Sequence, residues 1–214
     1  MEPVRTRCLL SKALNRLVIN RFCRNCPPRT NWFVQANSCA LEISTHYILT
    51  MDLIRLQPNA FTSQTTALSL QAVWQVASNP LLLPSLSSEL QAVRPVSNKP
   101  LGLGSTFEGD QRRGERRWTT TSTITGFEPL HFFEWTVGDV ANPVSKWSFL
   151  LDANAAGITL THKVTLLGGP SPLSDFIAQN PTTAEEVVQE RLVALRERMS
   201  VTVAGLLGLA SSSS

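Results

Sequence analysis

Between residues 104 and 166 apolar and polar positions alternate with period two, and after residue 182 apolar positions recur every three or four. The first pattern belongs to strands with one buried face, the second to an amphipathic helix. In the run Arg117 to Phe127, Trp118, Thr120, Ser122 and Ile124 share one face, and Thr119, Thr121, Thr123 and Thr125 form the other. A face made wholly of threonine is what a strand turns towards water. His131 to Val137 groups Phe133, Trp135 and Val137, and Val144 to Asp152 groups Trp147, Phe149 and Leu151. After a turn at Gly157, Ile158, Leu160, His162, Val164 and Leu166 alternate with Thr159, Thr161, Lys163 and Thr165. The connections are short, so consecutive strands pair as antiparallel neighbours.

The earlier elements are shorter. Residues 59–67 read as a first strand, and Ser69 as the N-cap of a short helix through Ala77 that buries Ala72, Val73 and Val76, with Trp74 adjoining. Asn79-Pro80 breaks that helix and Pro84 limits the next helical piece. Ser88 to Val96 and Ser105 to Gln111 read as the second and third strands. Gly102 and Gly104 frame a turn; with no third glycine, following helix or P-loop lysine they do not make a phosphate loop. Gly114 marks a hairpin tip bearing Arg112, Arg113, Arg116 and Arg117, read as a solvated turn rather than an anion site. Gly168-Gly169-Pro170 ends the sheet, and residues 170–181 are expected to form a loop or small lid.

The last helix opens at Pro181-Thr182-Thr183, where Thr182 to Glu185 and Thr183 to Glu186 both have capping-box spacing. Val188, Leu192, Leu195, Met199 and Val203 form its apolar stripe. Residues 211–214 are expected to fray as a tail. The fold class is therefore α+β, with antiparallel strands in series followed by a long helix.

Composition divides the chain. Before residue 51 there are seven Lys or Arg against two acids, and after it twelve against fourteen. All four cysteines, Cys8, Cys23, Cys26 and Cys39, lie in the first part. Residues 1–50 are read as an N-terminal extension, disordered or translated from upstream of a start at Met51. The alternative is an organelle transit peptide, suggested by the Arg-rich spacing of Leu9, Leu10, Ala13, Leu14, Leu17 and Val18. Cys23-Arg-Asn-Cys26 has metal-ligand spacing but no second pair, so no metal is assigned. Residues 51–210 form the main domain. Its mild acidity argues against a nucleic-acid partner, and no apolar run is long enough for stable membrane insertion. A cysteine-free body suits the reducing cytoplasm, the expected location unless residues 1–50 target an organelle.

The order of these elements and their residues resembles the START/polyketide cyclase-like (SRPBCC, Bet v 1-like) superfamily over residues 59–209. The resemblance is carried by Ala72-Val73-Trp74, Asn79-Pro80, Gly102-Leu103-Gly104-Ser105-Thr106-Phe107 and Trp118-Thr119-Thr120-Thr121. It continues through Phe127-Glu128-Pro129, Phe133-Glu134-Trp135, Trp147-Ser148-Phe149, Gly157-Ile158-Thr159-Leu160-Thr161 and the terminal helix. It implies a helix-grip fold, in which a seven-stranded curved antiparallel sheet wraps around a long C-terminal helix. It also implies a hydrophobic small molecule, lipid or polyketide-like, bound between sheet and helix. Some members cyclise or dehydrate polyketides, but catalytic residues differ between branches and none is carried over.

The inward faces supply the candidate ligand-binding residues: Trp118, Phe133, Trp135, Trp147 and Phe149 as aromatic walls, and Thr120, Ser122 and His162 as their polar exceptions. Leu192, Leu195 and Met199 supply the helical wall. A few polar groups in an apolar cavity are the usual form of a small-molecule site. His162 is the candidate catalytic residue, able to orient a ligand carbonyl or to act as acid or base near neutral pH. The plainer alternative is a core histidine satisfied by a backbone carbonyl or by Ser122. No Ser-His-Asp order, HExxH or nucleophile elbow is present, and no cofactor is expected. Three readings stand: a binder or carrier, a cyclase/dehydratase-like enzyme in the same cavity, and an interaction module whose cavity has collapsed.

Overall fold

The computed structural model of the chain describes residues 56–212, apart from 97 and 99. The basic extension, its cysteines and Met51 lie outside the described residues. Seven strands form one antiparallel sheet: β1 (Asn59–Thr66), β2 (Leu90–Pro95), β3 (Thr106–Arg113), β4 (Arg116–Glu128), β5 (Phe132–Asp139), β6 (Asn142–Asn154) and β7 (Gly157–Leu166). Their order is β1-β7-β6-β5-β4-β3-β2. From β2 to β7 each strand therefore lies beside its predecessor in sequence, and β1 closes the far edge against β7. Helix α1 (Leu70–Ala77), a 3₁₀ segment (Pro80–Leu86), α2 (Pro172–Gln179) and α3 (Ala184–Ser212) complete the fold. This is the helix-grip arrangement, a curled half-barrel with the long helix lying along it.

Local chemistry sets the element ends. The Ser69 side chain accepts a hydrogen bond from the Ala72 amide at 3.2 Å and caps α1, while Asn79 caps the 3₁₀ segment through the Leu81 amide. Gly157 turns β6 into β7 with φ of +123°, and a side chain there would strike the Thr66 carbonyl at the end of β1. The expected loop after Gly168-Gly169-Pro170 contains α2, capped by a reciprocal Ser171–Ser174 pair. Pro172 in its first turn sits where no amide donor is needed, which is why a proline there starts this helix. At α3 the capping-box expectation fails: the Thr183 hydroxyl donates instead to the Asn180 carbonyl at 3.2 Å. A 3₁₀ turn at Pro181–Thr183 moves the helix start to Ala184. The helix also runs through Ser211 and Ser212, beyond the expected start of the tail.

The stripe Val188, Leu192, Leu195, Met199 and Val203 is buried as the spacing predicts. It meets two clusters. Val188 to Met199 pack with Ala60, Val164 and Ile177, whereas Val203, Leu206, Leu207 and Ala210 join Val73, Trp74, Phe133 and Leu160. Each fully buried aliphatic side chain contributes on the order of 1.5–3 kcal/mol relative to exposure. On β4 the alternation holds only to Ile124. A bulge between Ile124 and Gly126 leaves Thr125 as an extra residue, so Ile124 faces Trp135 and Phe127, not Gly126, comes inward opposite Phe133. The outward face is not wholly wet: Thr136 is buried, with its hydroxyl 3.1 Å from that of Thr125.

Candidate functional site

A cavity of about 710 Å³ lies between the concave face of the sheet and the helices α2 and α3. That volume falls within the range of small-molecule sites, so the core has not collapsed onto the helix. Of the residues singled out from the sequence, Trp118, Thr120, Ser122, Trp135, Trp147, His162, Leu195 and Met199 line it.

Phe133, Phe149 and Leu192 do not. Phe133 is 0% exposed and packs edge-on against Phe127, whose ring in turn meets Trp74, at the closed end of the half-barrel. Phe149 is covered by the His162 ring, and Leu192 packs in the cluster of Ala60, Val164 and Ile177. Phe133 and Phe149 face inward as alternation requires, but neither reaches the space.

The aromatic wall follows from strand register. Trp135 and Trp147 are opposite residues on β5 and β6, and their indoles stack with centroids 6.2 Å apart and planes 9° from parallel. The Trp147 Nε1–H donates to the Ser145 hydroxyl at 3.0 Å, which fixes the ring. Phe107 on β3 adds a third ring 6.5 Å from Trp135, a cavity residue missed from the sequence although it also alternates with polar neighbours. Helix α2 supplies Leu173, Phe176 and Ile177, so the segment expected as a small lid is a wall of the cavity.

His162 occupies the deep side. Its side chain is 4% exposed, and neither Nδ1 nor Nε2 has a hydrogen-bond partner among the described residues. The backbone-carbonyl and Ser122 partners expected for an inert core histidine are both missing. Burial pushes the imidazole down to about 3, so the ring is neutral at physiological pH. It can donate from one nitrogen and accept at the other, but it does not titrate near neutrality as an acid–base catalyst would require. His131, by contrast, has its Nδ1 3.2 Å from the Leu151 carbonyl.

At the other side four arginines border the space: Arg113, Arg116, Arg191 and Arg198. Three of them converge on Glu89. Arg191 donates to both carboxylate oxygens at 3.2 and 3.1 Å, Arg198 donates to Oε1, and Arg113 stands 3.9 Å away. Burial alone would raise the Glu89 carboxyl, but the hydrogen bonds and charge of Arg191, then of Arg198, outweigh it and hold the group below its ordinary range. This cluster was invisible in the sequence because Glu89 and Arg198 are 109 residues apart. The hairpin arginines are exposed, as expected of a solvated turn, and two of them, Arg113 and Arg116, also border the cavity.

With the geometry in view, the comparisons with known proteins agree. The family of polyketide cyclase / dehydrase and lipid transport proteins matches residues 59–201. The chain belongs to this family. No curated protein sequence matches it significantly. Among solved structures, a polyketide cyclase-like protein of Corynebacterium glutamicum is similar at 21% identity and a TM-score of 0.50, covering 71% of this chain and 91% of its own. The Zhui aromatase/cyclase of Streptomyces sp. R1128 is similar at 14% identity and a TM-score of 0.51, with 72% and 93% covered. A Staphylococcus aureus protein of unknown function reaches a TM-score of 0.54 at 8% identity, with 73% and 94% covered. At these identities the shared property is the fold. No helix among the described residues is long and apolar enough to cross a membrane.

Proposed function

We propose that this member of the polyketide cyclase / dehydrase and lipid transport family binds a hydrophobic small molecule in the cavity between sheet and α3. The observation that carries this reading is the cavity of about 710 Å³ itself, with the stacked Trp135 and Trp147 in its wall. A buried imidazole with both nitrogens unpaired costs the fold about 1–3 kcal/mol, and it borders an apolar cavity. The stacked Trp135 and Trp147 offer flat apolar surface for a chain or ring system. The burial of both His162 nitrogens away from the space favours binding or transport over cyclase/dehydratase-like catalysis in the same cavity.

Native mass spectrometry of the protein purified from its own source tests the proposal. A co-purified hydrophobic molecule, reduced in occupancy in Trp147→Ala, is the expected result. A chain that is empty and also takes up no apolar probe in solution would overturn it.

A further inference from the structure

The border of the cavity is charged unevenly. Arg113, Arg116, Arg191 and Arg198 face only Glu89 and Glu190 there, leaving an excess of two positive charges. The side chains of Arg113, Arg191 and Arg198 are 46%, 22% and 38% exposed, while His162 is 4% exposed, so the arginines mark the mouth and the histidine the depth. Their convergence is built by the fold. Arg191 and Arg198 are seven residues apart, two turns along one face of α3. Arg113 and Arg116 are opposite residues at the β3–β4 hairpin, and their guanidinium carbons lie 6.0 and 5.9 Å from the centre of the Trp118 ring.

Glu89 ties these two elements together, since its backbone carbonyl also accepts from the Arg112 amide at 2.7 Å. One carboxylate thus holds three guanidiniums in place without neutralising them. The Arg116 guanidinium has no ion-pair or hydrogen-bond partner among the described residues. Preorganised guanidinium forks fit a planar carboxylate or a phosphate, and give it charge-assisted hydrogen bonds.

Resting on the ligand-binding reading above, we infer that the occupant is an anionic amphiphile. Its carboxylate or phosphate sits at the mouth among Arg116, Arg191 and Arg198, and its apolar body runs inward past Trp135 and Trp147. A neutral lipid of the same length fills the same space but leaves the arginines to water.

The test uses the full chain and three probes of one chain length, dodecanoate, dodecyl phosphate and dodecanol, below their micelle concentrations. Binding is followed by the tryptophan fluorescence of the cavity and by calorimetry. Dodecanoate or dodecyl phosphate is expected to bind about tenfold or more tightly than dodecanol at low salt, with the gap narrowing as salt rises. The ranking of the two acids identifies the head group. The double variant Arg116→Gln, Arg198→Gln is expected to weaken the acids about tenfold and leave dodecanol unchanged. Equal binding of dodecanol and the acids overturns the inference and leaves the binding reading intact. Binding of acetate or inorganic phosphate as tight as that of the amphiphiles overturns it too, by uncoupling the rim from the cavity. Failure of every probe overturns both.

Discussion

The rings of His162 and Phe149, opposite residues on β7 and β6, are stacked with centroids 4.2 Å apart and planes 25° from parallel. The contact is that of an apolar core pair, yet one partner carries two nitrogens that the described residues leave unsatisfied. His162→Phe keeps the stack and removes the orphaned polar atoms. The variant should gain about 1–3 kcal/mol of stability, read as a higher urea midpoint with unchanged slope. A variant less stable than the parent would mean that the nitrogens are already satisfied.

The same residue sets a pH dependence. Burial lowers His162 from 6.5 to about 3 in the folded chain, so between these values the unfolded chain binds the extra proton. Stability is fully present above pH 6.5 and falls on acidification by up to about 1.4 kcal/mol per pH unit towards pH 3. Glu89 and Asp110 are lowered from 4.5 and 3.8, so their contributions persist above those values and are lost only below them. The window from 4.5 to 6.5 therefore isolates the histidine. Denaturant titrations there should show a slope that His162→Phe abolishes; an identical slope in the variant would assign the effect elsewhere.

Much of the architecture was legible in the sequence because it rests on local signals. Gly157, Ser69 and the threonine faces announce turns, a cap and sidedness without reference to distant residues. What escaped depended on contacts between distant segments. Alternation places Phe133 and Phe149 inward, but it does not say that Phe127 and His162 pack against them. The clamp of Arg191 and Arg198 on Glu89 is a long-range pairing that no spacing rule reveals. The capping box at Thr183 had the right residues and lost to a 3₁₀ turn in which the Thr183 hydroxyl donates to the Asn180 carbonyl.

The distinction between core and cavity wall has a measurable form. Phe149→Ala removes a ring that is fully buried and should cost about 3–5 kcal/mol, seen as a lower urea midpoint. Trp118→Ala acts at the half-exposed mouth beneath two arginines and should cost about 1 kcal/mol or less while weakening binding of an amphiphile. Similar stability losses in both variants would contradict the separation of the two layers.

At Gly157 a methyl group meets the Thr66 carbonyl, and the backbone conformation excludes ordinary L-residues as well. Gly157→Ala should destabilise by about 1–3 kcal/mol from the backbone strain alone, measured by thermal unfolding. A neutral substitution would show that the β6–β7 turn can relax away from β1.

The bulge at Thr125 makes β4 a strand whose parity changes once along its length. Up to Ile124 the even-numbered residues look inward; from Phe127 the odd-numbered ones do. Deleting Thr125 would remove the bulge and restore plain alternation, with Gly126 outward and Phe127 still inward opposite Phe133. Substituting Thr125, by contrast, disturbs only its hydroxyl contacts with Glu134 and Thr136. Counted this way, Thr125 is the one residue of this stretch of β4 that the pairing with β5 leaves out of its count.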